Sequence, residues 1–177
     1  MLQKDFQTRI LPQLHKELGG RNIHSIPQVK KVTLNYRVKE ARESQEQLNQ
    51  ALEELAGIAG QRPSVTRAKK AIATFKLRQH DPLAAKVTLR GAKMYDFIEK
   101  FFNLVLPRLR DFKGINPDAF DQGGNYNITL KDQTYFPEID QNRVNKIRPL
   151  QITITTTASS KDEAKMLLSA LGAKFTS

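Results

Sequence analysis

Leu150-Gln151-Ile152-Thr153-Ile154-Thr155-Thr156-Thr157 alternates without a break, with Leu150, Ile152, Ile154 and Thr156 on one side and Gln151, Thr153, Thr155 and Thr157 on the other. A period of two is the signature of a strand with one face in a core and the other in water. Val29 to Val38 repeats it, setting Val32, Leu34 and Tyr36 against Lys31, Thr33, Asn35 and Arg37, a second half-buried strand with a basic outer face. Around these two the period becomes helical. Phe6, Ile10, Leu14 and Leu18 predict a helix over 5–18, bent or shortened by Pro12 and stopped by Gly19 and Gly20. Leu48, Leu52, Leu55 and Ala59 stripe a helix over 43–59, opened by the capping-box pattern Ser44-x-x-Gln47 and ended by Gly60. The stretch 93–105 is the most apolar. Met94, Phe97, Ile98, Phe101, Phe102, Leu104 and Val105 wrap over half its circumference before Pro107, which predicts the buried centre of the core. Ser160-x-x-Glu163 opens a last helix through Leu171. A short strand over 126–130, a Gly- and Asn-rich loop over 111–125, and an irregular 137–149 with one helical turn around Gln141 to Lys146 complete the pattern. The expectation is a single α+β domain over 1–177: an antiparallel-type mixed sheet, helices packed on one face, the other face left polar.

Composition narrows the chemistry. The 177 residues contain no Cys, which removes disulfides, thiol nucleophiles and thiolate metal sites. No run approaches the roughly 18 apolar residues of a membrane span, and Met1 to Ile10 has no apolar signal region, so a soluble chain in a reducing compartment is expected. The net charge of +11 is unevenly spread: 1–61 carries +2 and 94–177 carries +1. The stretch 62–93 holds Arg62, Arg67, Lys69, Lys70, Lys76, Arg78, Lys86, Arg90 and Lys93 against Asp81, net +8. Such a block calls for a polyanion. No amphipathic helix with an aromatic face lies in it, which favours nucleic acid over membrane headgroups.

Within this block, Ile72 to Leu77 and Ala85 to Arg90 read as two strand-like pieces joined by Arg78-Gln79-His80-Asp81-Pro82, a β-hairpin with a mobile cationic tip. Asn35, Arg37, Thr88 and Arg90, beside the loop 61–67, mix cations with short hydrogen-bonding side chains. Cations alone give sequence-blind attachment, whereas Asn, Gln and Thr can reach base edges, phosphates and 2′-hydroxyls. Tyr36 and Phe75 both fit the core face, which favours shaped RNA over a single-strand stacking platform.

Catalytic patterns are sparse. His15, His24 and His80 are far apart, and no phosphate loop, dinucleotide fingerprint or nucleophile elbow is present. Glu53 and Glu54 splay around a helix and read as a solvated face. Asp111, Asp118 and Asp121 share the long loop, where they either hold Mg²⁺ or cap turns. An RNA-processing enzyme using these aspartates and a basic module meeting an acidic protein therefore stand beside the RNA-binding scaffold. No cofactor and no resident metal are expected.

Several strings, in order, are similar to one family. They are Gly60-Gln61-Arg62-Pro63 leading into Thr66-Arg67-Ala68-Lys69-Lys70; Lys86-Val87-Thr88-Leu89-Arg90-Gly91; Pro107-Arg108-Leu109-Arg110-Asp111-Phe112; Gly124-Asn125-Tyr126-Asn127; Phe136-Pro137-Glu138-Ile139; and Ile152-Thr153-Ile154-Thr155-Thr156-Thr157-Ala158. Together they resemble the universal large-subunit ribosomal protein numbered five, which binds 5S rRNA, in its bacterial or organellar form. The resemblance implies a non-enzymatic scaffold in the central protuberance of a cytoplasmic, stromal or matrix ribosome. It would tie 5S rRNA to the large-subunit rRNA, touch the peptidyl-site tRNA and bridge to a small-subunit protein. By position, Asn35, Gln61, Thr88 and Arg90 match the family's 5S contacts, with Arg62, Thr66, Arg67, Lys69 and Lys70 nearby. The tip from Lys76 to Lys86, including Arg78 and His80, matches the tRNA-facing loop, and the loop around Asp111 to Gly123 is a candidate for the bridge. The chain departs from the pattern at Arg37 and Lys39, where glycines are usual, at Gln122, and in ending Phe175-Thr176-Ser177 without a basic tail.

Overall fold

Both alternating stretches are strands, and three more join them. In the computed structural model, which describes residues 2–20, 22–38, 41, 44–110, 112–141, 144 and 146–176, the strands are Val29–Arg37 (β1), Ser64–Arg67 (β2), Pro82–Leu89 (β3), Tyr126–Leu130 (β4) and Leu150–Thr156 (β5). Helical segments are Leu2–Asp5 (α1), Leu11–Glu17 (α2), Gln45–Ala59 (α3), Gly91–Lys100 (α4) and Lys161–Ala170 (α5). The fold is α+β, with one five-stranded antiparallel sheet in the order β2-β3-β1-β5-β4. The Val38 N–H donates to Leu83 O at 3.1 Å between β1 and β3, and the Thr157 N–H donates to Gln28 O at 2.9 Å beside β1 and β5. Pleating then sorts the side chains: Val32, Leu34, Tyr36, Ala85, Val87, Leu89, Leu150, Ile152 and Ile154 are all buried.

The chain divides into two compact units, Met1–Val32 with Leu89–Ile128 and Thr153–Ser177, and Thr33–Thr88 with Thr129–Ile152. In the first unit, α1 leads through a wide π turn, Phe6–Ile10, into α2. Pro12 is the second residue of α2, where this change of register absorbs its missing N–H and lets helical structure continue. The Phe6 ring lies 5.5 Å from that of Tyr95 in α4. The apolar helix expected over 93–105 is α4 followed by a second π turn, Phe101–Val105, with Pro107 inside a closing 3₁₀ turn. Phe97, Ile98, Phe101, Phe102 and Val105 are buried as expected, but Leu104 points outward. Ile115 pairs in parallel with Phe175, through Ile115 N–H to Lys174 O at 2.8 Å and Thr176 N–H to Ile115 O at 3.1 Å. Gly114, at φ +132°, permits this: a Cβ there would lie 2.5 Å from Thr176 N.

In the second unit, α3 buries Leu48, Ala51, Leu55, Ile58 and Ala59. The Ser44 hydroxyl accepts the Gln47 N–H at 3.3 Å, and Gly60, at φ 60°, ends the helix. Glu54 departs from its reading as a solvated side chain. Its Oε2 accepts the Tyr36 hydroxyl at 2.7 Å and lies 3.6 Å from Nη1 of Arg148, whose side chain is 4% exposed. Gln133, fully buried, accepts the Arg148 N–H and donates to Lys146 O, both at 2.7 Å, fixing the segment that carries the guanidinium. Burial, reinforced by Glu54, pushes the Tyr36 hydroxyl far above its ordinary range, so it stays a neutral donor. The helical turn expected around Gln141 to Lys146 includes Asn142, Arg143 and Asn145, which lie outside the described residues, as does Lys39.

Two adjacent glutamates therefore differ sharply. Glu54→Ala strands a buried guanidinium and should cost about 3–5 kcal/mol in denaturant unfolding, whereas Glu53→Ala, on the exposed side of α3, should stay within about 0.5 kcal/mol.

Candidate nucleic-acid interface

The polar face of the second unit follows from strand register. β1 and β3 run antiparallel with Val38 opposite Leu83, so Asn35 and Lys86 share the face turned away from Tyr36 and Ala85, as do Thr33 and Thr88. Asn35 is half-buried, and its Nδ2 donates to Gln151 Oε1 at 3.4 Å. Thr88 is half-buried, and its carbonyl accepts Gln61 Nε2 at 3.3 Å, which ties the loop after α3 to β3. β2 pairs with β3 as Ser64↔Lys86, Val65↔Ala85 and Thr66↔Ala84, with a bulge between Thr66 and Arg67. Arg62, Thr66, Arg67, Lys69, Lys70 and Lys86 are exposed. Arg90 belongs to the first unit. It is exposed at the start of α4 and reaches Lys30 O at 3.4 Å.

The hairpin is present, but its arms are not where periodicity places them. They are β2 and β3, and 72–77 is a closed excursion at the tip. Ala68 N–H bonds Asp81 O at 2.8 Å and His80 N–H bonds Ala68 O at 2.9 Å at the base of the excursion. Ile72 and Leu77 exchange both backbone bonds, at 3.0 and 3.1 Å, around the 3₁₀ turn Ala73–Phe75. Lys76 and His80 take positive φ, 51° and 70°, which breaks any strand through this segment. Phe75, expected on the core face, is 67% exposed, because the excursion projects past the paired strands. Asp81, the one acidic residue of 62–93, turns its Oδ2 onto the Arg78 N–H at 2.9 Å, while Arg67 Nη1 donates to His80 O at 3.1 Å. Lys76, Arg78 and His80 are exposed along this tip.

A family model described as Ribosomal protein L5 matches residues 22–78, and a second one, for the C-terminus of the same ribosomal family, matches 82–175. The chain belongs to the ribosomal protein L5 family. A Large ribosomal subunit protein uL5 from Prochlorococcus marinus (strain NATL1A) is 51% identical over 174 residues, 98% of this chain and 97% of that relative. One from Thermoanaerobacter sp. (strain X514) is 47% identical with the same coverage. The L5 family is one of structural proteins rather than enzymes.

That outcome agrees with the fate of the loop aspartates. Asp111 lies outside the described residues. Asp121 accepts the Gly123 and Asn125 N–H groups on Oδ1 at 2.9 and 2.8 Å, and Asn125 Nδ2 on Oδ2 at 2.8 Å. It shapes the turn, the second of the two roles its sequence context allows. The Asn125 amide, with the backbone donors, holds its carboxyl below the ordinary carboxylate value. Because the folded pKa is lowered, the turn's stabilisation is present above the ordinary value and lost as pH falls through the lowered one. The protection factors of the Gly123 and Asn125 amides, which divide out the pH dependence of intrinsic exchange, should therefore hold at neutral pH and fall as pH drops through the lowered value. An Asp121→Ala chain should show low protection factors at both amides at every pH.

Proposed function

We propose that this chain, a structural constituent of the large ribosomal subunit, binds 5S rRNA through the polar sheet face and cationic hairpin of its second unit. The observation that carries this reading is one face that joins Asn35, Lys86 and Thr88 to a stretch of net +8. Cations there neutralise phosphates, and half-buried Asn35 and Thr88, held by the strand pleat, supply directional hydrogen bonds that fit bases and 2′-hydroxyls. Arg62, Thr66, Arg67, Lys69 and Lys70, with Arg90 just after β3 in sequence, extend the contact and anchor 5S rRNA to the large-subunit rRNA. The excursion beyond Arg67 bears Lys76, Arg78 and His80 and meets the peptidyl-site tRNA. The loop up to Gly123, ordered by Asp121 and by the Asn116 side chain accepting the Asp118 N–H at 2.8 Å, meets a small-subunit ribosomal protein. Resemblance by position supports the 5S rRNA and tRNA assignments, and the loop up to Gly123 is the candidate for the bridge.

Titration of 5S rRNA against an unrelated duplex of similar length tests the reading: 5S rRNA should bind more tightly at moderate salt, and equal affinities defeat it. With about six phosphates neutralised, log K should fall against log salt with a slope of about −4 to −5. Thr88→Val or Arg90→Ala should each cost about 1–3 kcal/mol of 5S affinity.

Deleting Arg78 to His80 should leave 5S affinity intact and weaken retention of peptidyl-site tRNA on reconstituted subunits. Loss of 5S binding would remove the division between face and tip.

A further inference from the structure

Phe75 is the most exposed large hydrophobic side chain among the described residues, at 67%, and Ile72, three residues earlier, is 43% exposed. Nothing in the fold requires them there. The excursion is closed by backbone bonds, Ile72 to Leu77 in both directions and Lys76 N–H to Ala73 O at 2.9 Å, and a polar side chain at position 75 would leave every one of them in place. The ring therefore stands on a braced 3₁₀ turn rather than a loose loop, flanked in sequence by exposed Lys69, Lys70, Lys76 and Arg78. The stretch's single carboxylate, Asp81, is turned onto the Arg78 N–H.

We propose that Phe75 is a stacking residue, its ring seated on an unstacked base of the folded RNA that the hairpin meets. This rests on the RNA reading of the tip and adds a contact of a different kind. An aromatic ring on a fixed backbone loses little conformational freedom on binding, and every base offers a π face. The charge around the ring selects the occupant: a cluster of cations repels a basic partner and draws in phosphates, which carry a base to the ring's edge. An apolar protein partner fits the ring but not its surroundings.

The chain has no tryptophan, so Phe75→Trp introduces a single emitter at the tip. The full-length protein is titrated with an unmodified tRNA transcript. Phe75→Tyr should bind within about twofold of the parent and Phe75→Leu about tenfold more weakly. All should show the same salt slope, since stacking releases no counterions. Emission from the Phe75→Trp chain should be quenched as the tRNA saturates. Unchanged affinity for Phe75→Leu, or a saturated complex with undiminished emission, overturns the proposal. So does a brightened, blue-shifted emission that appears only with a protein partner. Arg78→Ala, measured alongside, separates the two layers of inference. If it weakens tRNA binding and Phe75→Leu does not, stacking fails and the hairpin reading stands. If neither variant changes affinity, the hairpin reading itself falls.

Discussion

The pleat of β1 is the constraint on which the second unit depends. Tyr36 enters an interior that also holds a nearly buried guanidinium and its carboxylate, while Asn35 and Arg37, one residue to either side, meet water. A slip of one residue would carry Arg37 into that interior and Tyr36 onto the polar face, an exchange that costs both the ion pair and the polarity of that face. The Tyr36–Glu54–Arg148 cluster thus acts as a register mark. It is satisfied in one pairing of β1, and the same pairing aligns Asn35 with Lys86. The cluster is short of hydrogen-bond partners, with Glu54 Oε1 and the Arg148 side-chain nitrogens lacking one, so its value lies in specificity more than in stability.

Much of this was legible before any coordinates. β1 and β5 follow from strict alternation, α3 and α5 from their Ser caps and apolar stripes, and the charged stretch from counting. What was missed has a separate physical cause in each case. β2 is four residues long with Ser64, Thr66 and Arg67 all exposed, so no buried alternation marks it. Ile72 to Leu77 carries the pattern of a strand, but positive φ at Lys76 and a 3₁₀ turn override it. Glu54 looks like Glu53 in sequence, because its partner Arg148 lies far along the chain. Of the candidate interface, the residue types and the strand face that Asn35 shares with Thr88 could be read, whereas Arg90, expected on that face, follows the end of β3. The support that Gln61 gives to Thr88 and Gln151 gives to Asn35 needed the fold.

The cationic stretch also shows how a chain tolerates its own repulsion. Its positive side chains are exposed, where solvent screens them, and are spread over a loop, two strand edges and a projecting tip. The lone acidic residue of the stretch accepts a backbone N–H in the turn, and the stretch keeps its net charge of +8. An RNA surface is the natural complement to such a field, which rewards approach before any specific bond forms.

Glu54 and Arg148 are separated by 94 positions in sequence, 148 less 54. At synthesis rates of roughly 5–20 residues per second, the helix bearing the carboxylate is made about 5–20 s before the guanidinium it will be buried against. During that interval burial of Glu54 would lack its compensating charge, which opposes the seating of α3. Full closure of the second unit is thus favoured only once β5 and the segment before it have been made.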